Sequence, residues 1–117
     1  MLTEGHIEMA NKVAKFKRGA SFKPTLRLPT KGTLTNLVGV SIASSVVTVD
    51  GREHKCDVII PDPTGRTFTL FIDDTAKWPV GDANWDICFY LNGVYVYTET
   101  ILVHIMKSAT SQRPTPP

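Results

Sequence analysis

The chain has 117 residues, a formal net charge of +2 at pH 7 and an apolar fraction of 42%. These values predict one soluble globular domain that buries an adequate core without disulfides or metal, and they exclude a disordered chain. No apolar run reaches the roughly 18 residues that a membrane-spanning helix needs. The small net charge, without a basic face that carries stacking aromatics, argues against nucleic-acid binding.

Residues 1–14 are predicted to be an N-terminal arm. The segment has charged residues and no apolar leader, so we expect the protein to be made and kept in a reducing cytoplasm. Ile7 and Val13 lie with two alanines on roughly one helical face, although a helix this short is marginal alone. The segment is therefore either a loose arm or one that becomes ordered on a partner.

The first two predicted β segments are residues 15–28 and 37–49, separated by a loop. Pro24 has no N–H group to donate, so the first segment is an edge strand or the start of a strand. Apolar β-branched residues alternate along the second segment until Ser44 and Ser45 interrupt the pattern. That interruption predicts a bulge or a bend.

Two more β segments follow a hairpin turn. Asp50-Gly51 has the composition of such a turn, and residues 53–60 are predicted to return as one partner strand. A turn rich in Pro, Asp and Gly then leads into a strand at residues 66–72. The next residues, 73–81, are expected to form one aspartate-capped helical turn, in which Trp78 closes one end of the core.

A long hairpin is the most strongly predicted element. Residues 85–91 alternate apolar and polar side chains, and Asn92-Gly93 tolerates the positive φ angles of a type I′ turn. The chain then returns over residues 94–105. The pairs across the hairpin are predicted to be Leu91 with Val94, Tyr90 with Tyr95, Phe89 with Val96 and Cys88 with Tyr97.

The two faces of this hairpin differ in character. The face predicted to join the core consists of Ile87, Phe89, Leu91, Val94 and Val96. The opposite face carries Cys88, Tyr90, Tyr95 and Tyr97. It is either an exposed sheet stabilised by cross-strand aromatic pairs or a protein–protein interface, where tyrosine is enriched. By the alternation of side chains along the strand, three later apolar residues would point to this same face. Their position requires either a bulge at residues 98–100 or coverage of both faces. These residues are Ile101, Val103 and Ile105.

The complete pattern predicts an all-β domain over residues 15–106. It contains six to eight short strands, roughly 10 residues apart, with turn residues between them, which is typical of an antiparallel β-sandwich or barrel. Residues 107–117 are rich in Ser, Thr and Pro, and we expect them to be disordered or extended.

The sequence offers little for catalysis or metal binding. Its three histidines lack zinc-ligand spacing. Asp73, Asp74 and Asp82 lack the spacing of a calcium loop and are explained by turns and caps. Cys56 and Cys88 are interpreted as semi-buried thiols, since a disulfide would need their Cα atoms within about 7 Å. With no nucleophile motif or phosphate-binding loop, we predict no enzyme activity, no metal and no cofactor.

Several short motifs occur in a characteristic order. They are Phe16-x-Arg18-Gly19 followed by Phe22, Leu37-x-Gly39, Phe68-x-Leu70-x-Ile72, Thr75-x-x-Trp78-Pro79-x-Gly81 and Trp85-Asp86-Ile87. Over residues 15–106 this order resembles small phage and prophage structural proteins of the tail and baseplate region. Two features depart from that family. Ala20 stands where the family usually has Asp, and residues 81–85 lengthen the approach to the Asp-Ile strand.

The resemblance implies an immunoglobulin-like β-sandwich without catalytic residues, used as a connector or as a base for host-binding fibres. It implies a place in the virion after assembly in the host cytoplasm, with other virion proteins as partners and with multiple copies or a homo-oligomer. We expect neither nucleic acid nor membrane as a partner. The interface candidates are Ile7, Val13, Phe16, Tyr90, Tyr95 and Tyr97.

Two alternatives stay open. One is a capsid decoration or head–tail connector protein. The other is a carbohydrate-binding module for a host receptor, with aromatic rings as sugar platforms; its candidates are Trp85, Tyr90, Tyr95 and Tyr97.

Overall fold

The computed structural model describes residues 13–28, 35–110 and 113–117. Within those ranges nine β-strands form two sheets, and no helix of membrane-spanning length and hydropathy occurs. The strands are β1 (Val13–Lys17), β2 (Thr25–Arg27), β3 (Ser41–Val47), β4 (Glu53–Lys55), β5 (Asp57–Ile59), β6 (Thr67–Phe71), β7 (Gly81–Leu91), β8 (Val94–Tyr97) and β9 (Ile101–Met106).

The two sheets have the topology of an immunoglobulin-like sandwich. The larger sheet has six strands in the order β1-β9-β7-β3-β4, with β8 also paired to β7, and the smaller sheet has the order β2-β6-β5. Strands β9, β7, β3 and β4 take the places of G, F, C and C′ in a variable-type domain, and β2, β6 and β5 take those of B, E and D. The predicted fold class is confirmed, with one parallel pair, β1 with β9, in the larger sheet.

Inward-facing side chains from both sheets fill one core. Trp85 and Phe89 from β7 and Phe68 from β6 are each at most 2% exposed. Phe22 and Trp85 meet edge to face with ring centroids 5.1 Å apart, and Phe68 and Phe89 do so at 5.7 Å. Burial alternates along β7 because the pleat points successive side chains to opposite faces, as the sequence pattern predicted.

The predicted hairpin register is confirmed. Asn92 and Gly93 have φ angles of 51° and 80°, as a type I′ turn requires, and the four predicted cross-strand pairs form. The prediction that Val94 belongs to the core is wrong. This residue is 58% exposed because it lies beside the turn, on a strand that pairs only with β7 among the described strands.

One extra residue between β8 and β9 explains the parity of the later apolar residues. Cys88 pairs with Tyr97 and Trp85 with Ile101, so the returning chain takes four steps where β7 takes three. Thr98 is buried there, and its Oγ1 accepts the N–H of the opposite β7 residue at 3.0 Å. Of the two predicted alternatives, the bulge is therefore correct. The bulge reverses which side chains of the returning strand point inward. The residues that consequently lie in the core are Ile101, Val103 and Ile105.

The predicted bulge or bend at Ser44 and Ser45 is wrong. β3 pairs with β7 in one unbroken register across both serines. Ser44 occupies a core-facing position, where its Oγ donates to the Asp86 carbonyl at 2.6 Å and accepts the Trp85 Nε1–H at 2.8 Å. A hydroxyl with both partners satisfied is tolerated in a core, so the strand continues regularly.

The single strand predicted over residues 53–60 is in fact two strands in different sheets. β4 pairs with β3 in the larger sheet, and β5 pairs with β6 in the smaller one. Between them, the Cys56 N–H donates to the Ser44 carbonyl at 2.9 Å. The chain changes sheets at Cys56 while its alternation of partly buried and exposed residues continues, so the sequence pattern shows no break.

The linker after β6 forms one hydrogen-bonded turn in which Asp74 accepts the Ala76 N–H, as the predicted cap required, but the turn is not helical. The Trp78 N–H donates to the Thr75 carbonyl at 3.1 Å and closes a single tight turn. Pro79 disfavours helical geometry at the residue before it, so the turn does not extend. Trp78 is 2% exposed and does close one end of the core, as predicted.

The ends of the domain differ from the expected boundaries. β1 begins at Val13, so the last two residues of the predicted arm belong to a strand. β2 is an edge strand of the smaller sheet, as Pro24 predicted. Beyond β9, Arg113 returns to the domain and places its guanidinium 3.0 Å from the Asp73 carboxylate.

Candidate functional site

The outer face of the larger sheet carries the candidate site. Tyr90 of β7 and Tyr95 and Tyr97 of β8 lie on this face, and together they are all the tyrosines of the chain. The ring centroids of Tyr90 and Tyr95 are 4.6 Å apart. Tyr95 and Tyr97 are 70% and 61% exposed. We name these three residues the tyrosine patch.

A depression of about 380 Å³ lies beside the tyrosine patch. Tyr97 lines one side, and outward-facing residues of β3, β4 and β7 line the others. The residues on those strands include Ala43, Ser45, Glu53, Asn84, Asp86 and Cys88. Ala43 and Ser45 on β3 have small side chains, whereas Glu53 and Tyr97 beside them are larger. The outer face is therefore concave where it meets the tyrosine patch.

Two carboxylates give the depression a negative character. The Ser45 hydroxyl donates to Glu53 Oε2 at 2.7 Å. Burial raises the pKa of Asp86, and the negative charge of Glu53 raises it further. A hydrogen bond with Cys88 raises the pKa of the Tyr97 phenol, so this hydroxyl stays neutral under ordinary conditions. The site therefore offers carboxylate acceptors beside an exposed ring with a hydroxyl group.

The substitution Asp86→Asn is expected to stabilise the protein more at neutral pH than in acid. A raised pKa means that Asp86 stabilises the fold fully below its unfolded-state pKa and loses that contribution as the pH rises through its folded-state pKa. Asparagine stays neutral throughout. Urea midpoints at about pH 3 and about pH 7 measure the effect. A difference between variant and parent that is the same at both pH values would contradict the assignment.

The other predicted interface residues do not join the tyrosine patch. Phe16 is partly buried on the inner side of the sheet, with its ring centroid 5.5 Å from those of Phe22 and Trp78. The backbone of Val13 lies in β1, and Ile7 lies outside the described residues. The structure thus brings together three of the six candidates.

Sequence reasoning missed the polar lining of the depression. Asn84 and Asp86 have the same outward parity on β7 as Cys88 and Tyr90, so alternation alone could have found them. Glu53 has no comparable local signal. It reaches this face through the pairing of β4 with β3, which is a contact between strands.

The acidic residues considered for a calcium loop have separate partners. Asp73 is 3.0 Å from the Arg113 guanidinium, whereas Asp82 is 2.8 Å from His104 Nδ1. In the part of the chain that the structure describes, no group of three or more His, Cys, Asp and Glu side chains is arranged to hold a metal ion.

The two cysteines are free thiols on different parts of the domain. Cys88 lies on the outer face opposite Tyr97, and Cys56 lies between β4 and β5. Burial raises the pKa of Cys56 to about 11, so this thiol stays protonated at neutral pH. Cys56 is partly buried against the core, and a protonated thiol in that position is a packing residue, because thiolate is the reactive form.

Comparison with solved structures supports the fold. A crystal structure of a chicken TCR matches with a TM-score of 0.50 and 12% identity, over 84% of this chain and 54% of that chain. The chain thus spans about half the length of the receptor chain, and at this identity the likeness concerns the fold alone. No family model and no curated protein matches the sequence.

Proposed function

We propose that this protein is a non-enzymatic structural component of a phage particle, in the tail, baseplate or fibre-attachment region, that acts through protein–protein contacts. The tyrosine patch is the observation that carries the proposal, because the chain places all three of its tyrosines on one outer face. Tyrosine suits such contacts, since its ring buries apolar area while its hydroxyl keeps a hydrogen-bond partner.

Two of the motifs behind the phage resemblance, Phe16-x-Arg18-Gly19 and Thr75-x-x-Trp78, lie in contact with each other. Thr75 is fully buried, and its Oγ1 accepts the Gly19 N–H at 3.0 Å and donates to the Ala20 carbonyl at 2.6 Å. Gly19 has a φ of 95°, which L side chains rarely adopt. Phe16 and Trp78, from the same two motifs, pack ring against ring at 5.5 Å. These motifs therefore support the proposal through the architecture that they specify.

A phage particle repeats its components by symmetry, which suits a modest contact surface. Many weak copies of one contact give strong total attachment without a large interface on any single copy. Other virion proteins are the proposed partners, and the exposed rings of Tyr95 and Tyr97 are the proposed first points of contact.

A carbohydrate-binding module is the second candidate function. Trp85 is fully buried, so its prediction as a sugar platform is wrong. Tyr97, in contrast, stands beside a depression that also presents Glu53, Asn84 and Asp86. A flat ring beside several polar hydrogen-bonding groups is a combination that recognises small polar ligands such as sugars.

Localisation on the particle tests the proposal. An antibody raised against the domain is applied to purified particles of a phage that encodes the protein, and the particles are viewed by electron microscopy. We expect the protein to co-purify with the particles and the label to lie at the tail. Label on the head would favour capsid decoration or a head–tail connector instead. Absence from the particles, with specific glycan binding by the isolated protein, would favour the carbohydrate-binding module.

A further inference from the structure

A second depression, of about 340 Å³, lies where β1 and β9 end. The two strands run parallel, with Lys17 beside Met106, so their C-terminal ends lie side by side at the same end of the larger sheet. The chain continues from β1 into Arg18 and from β9 into Lys107. Arg113 also lines this depression, which therefore collects four cationic side chains from three separate stretches of the chain.

Most of this positive charge has no acidic partner in the part of the chain that the structure describes. Arg113 is 3.0 Å from the Asp73 carboxylate, and this contact lowers the pKa of Asp73. Among the described residues, no carboxylate forms an ion pair with Lys17, Arg18 or Lys107. The depression consequently has a surplus of positive charge that a ligand could neutralise.

Hydrogen bonds to the rest of the domain fix the backbone of residues 18–20, which forms one wall of this depression. The Arg18 N–H donates to the Met106 carbonyl at 2.9 Å, and the buried Thr75 hydroxyl bonds to Gly19 and Ala20. A wall fixed before binding reduces the ordering cost of association. The remaining lining is mostly small, as Gly19, Ala20 and Ser108 show, so the centre of the depression stays open.

We propose that this depression, here named the basic pocket, binds a short acidic segment of a partner protein, whose carboxylates contact Lys17, Arg18 and Lys107. Its volume lies near the lower end of the ~300–1,000 Å³ range of ligand pockets, which suits a few side chains. The described residues that line it include no aromatic ring on which a nucleic-acid base could stack. An acidic peptide therefore fits the pocket better than a nucleic acid. The proposal involves none of the tyrosine patch and does not depend on the proposed function.

Fluorescence anisotropy with labelled penta-glutamate tests the proposal on the full chain, with penta-glutamine as the neutral probe. We expect saturable binding of the glutamate peptide only. The double variant Arg18→Gln/Lys107→Gln removes two of the proposed contacts and should weaken binding about tenfold. Ala20→Asp places a competing carboxylate on the pocket wall and should weaken binding by a similar factor.

The matched control is Lys23→Gln/Lys55→Gln, which removes the same charge from exposed positions outside the pocket. We expect its affinity to stay within about twofold of the parent, because salt screens distant charges. An equal loss in this control would show that net charge alone attracts the peptide and would overturn the proposal. So would a failure of the parent protein to bind penta-glutamate, or tighter binding of an oligothymidylate of equal charge.

Discussion

The substitution Trp85→Ala is expected to lower the free energy of unfolding by about 3–5 kcal/mol. Trp85 is fully buried in β7, its ring packs on Phe22, and its Nε1–H donates to Ser44. Alanine would leave a cavity where the two sheets meet. Since a domain of this kind is stable by only about 5–15 kcal/mol in total, the variant should lose a substantial fraction of its stability.

Urea denaturation followed by circular dichroism measures this loss. Trp85→Phe is the control, because it keeps an apolar ring and removes the N–H donor. Ser44 would still donate to the Asp86 carbonyl, so no buried hydroxyl is left unpaired and the loss should be about 1–2 kcal/mol. A loss below about 1 kcal/mol for Trp85→Ala would contradict the central position of this ring.

The double substitution Tyr95→Ser/Tyr97→Ser is expected to reduce incorporation into phage particles at least about tenfold while the domain stays folded. Hot-spot residues at interfaces, among which tyrosine is enriched, cost about 2 kcal/mol or more each when truncated, and about 1.4 kcal/mol corresponds to a factor of ten. In the isolated domain both side chains are mostly exposed, so the fold should lose little beyond the ring contact between Tyr90 and Tyr95.

Quantitative mass spectrometry of purified particles, as the ratio of this protein to the major capsid protein, gives the readout. Val94→Ser is the matched control, because Val94 is 58% exposed on the same hairpin but has the opposite parity. We expect the control to be incorporated normally. Unchanged incorporation of the tyrosine double variant would mean that the rings serve only to stabilise the exposed sheet.

The main hairpin and the tyrosine patch could be predicted because their determinants are local. Asn92-Gly93 fixes the turn type, the turn fixes the register, and the register places the tyrosines on one face. No distant part of the chain is needed for that inference. The same logic found the core-facing residues of β7, since alternation is a property of the strand itself.

Features that depend on contacts between distant segments could not be predicted. The change of sheet at Cys56 leaves the alternation intact, so nothing in residues 53–60 marks it. In the sequence Ser44 is a polar interruption of an apolar pattern, and only its hydrogen bonds with Trp85 and the Asp86 carbonyl make it a core residue. The basic pocket likewise exists only because β1 pairs with β9 from the other end of the chain.

Tyrosine nitration with tetranitromethane tests the central claim most directly, which is that neighbouring molecules cover the outer face around the tyrosine patch. Nitrotyrosine can form only in this patch, because the chain has no tyrosine elsewhere. Peptide mass spectrometry compares the free protein with assembled particles. We expect Tyr95 and Tyr97 to react readily in the free protein and to be strongly protected in the particles. Equal nitration of both residues in the two states would contradict the claim.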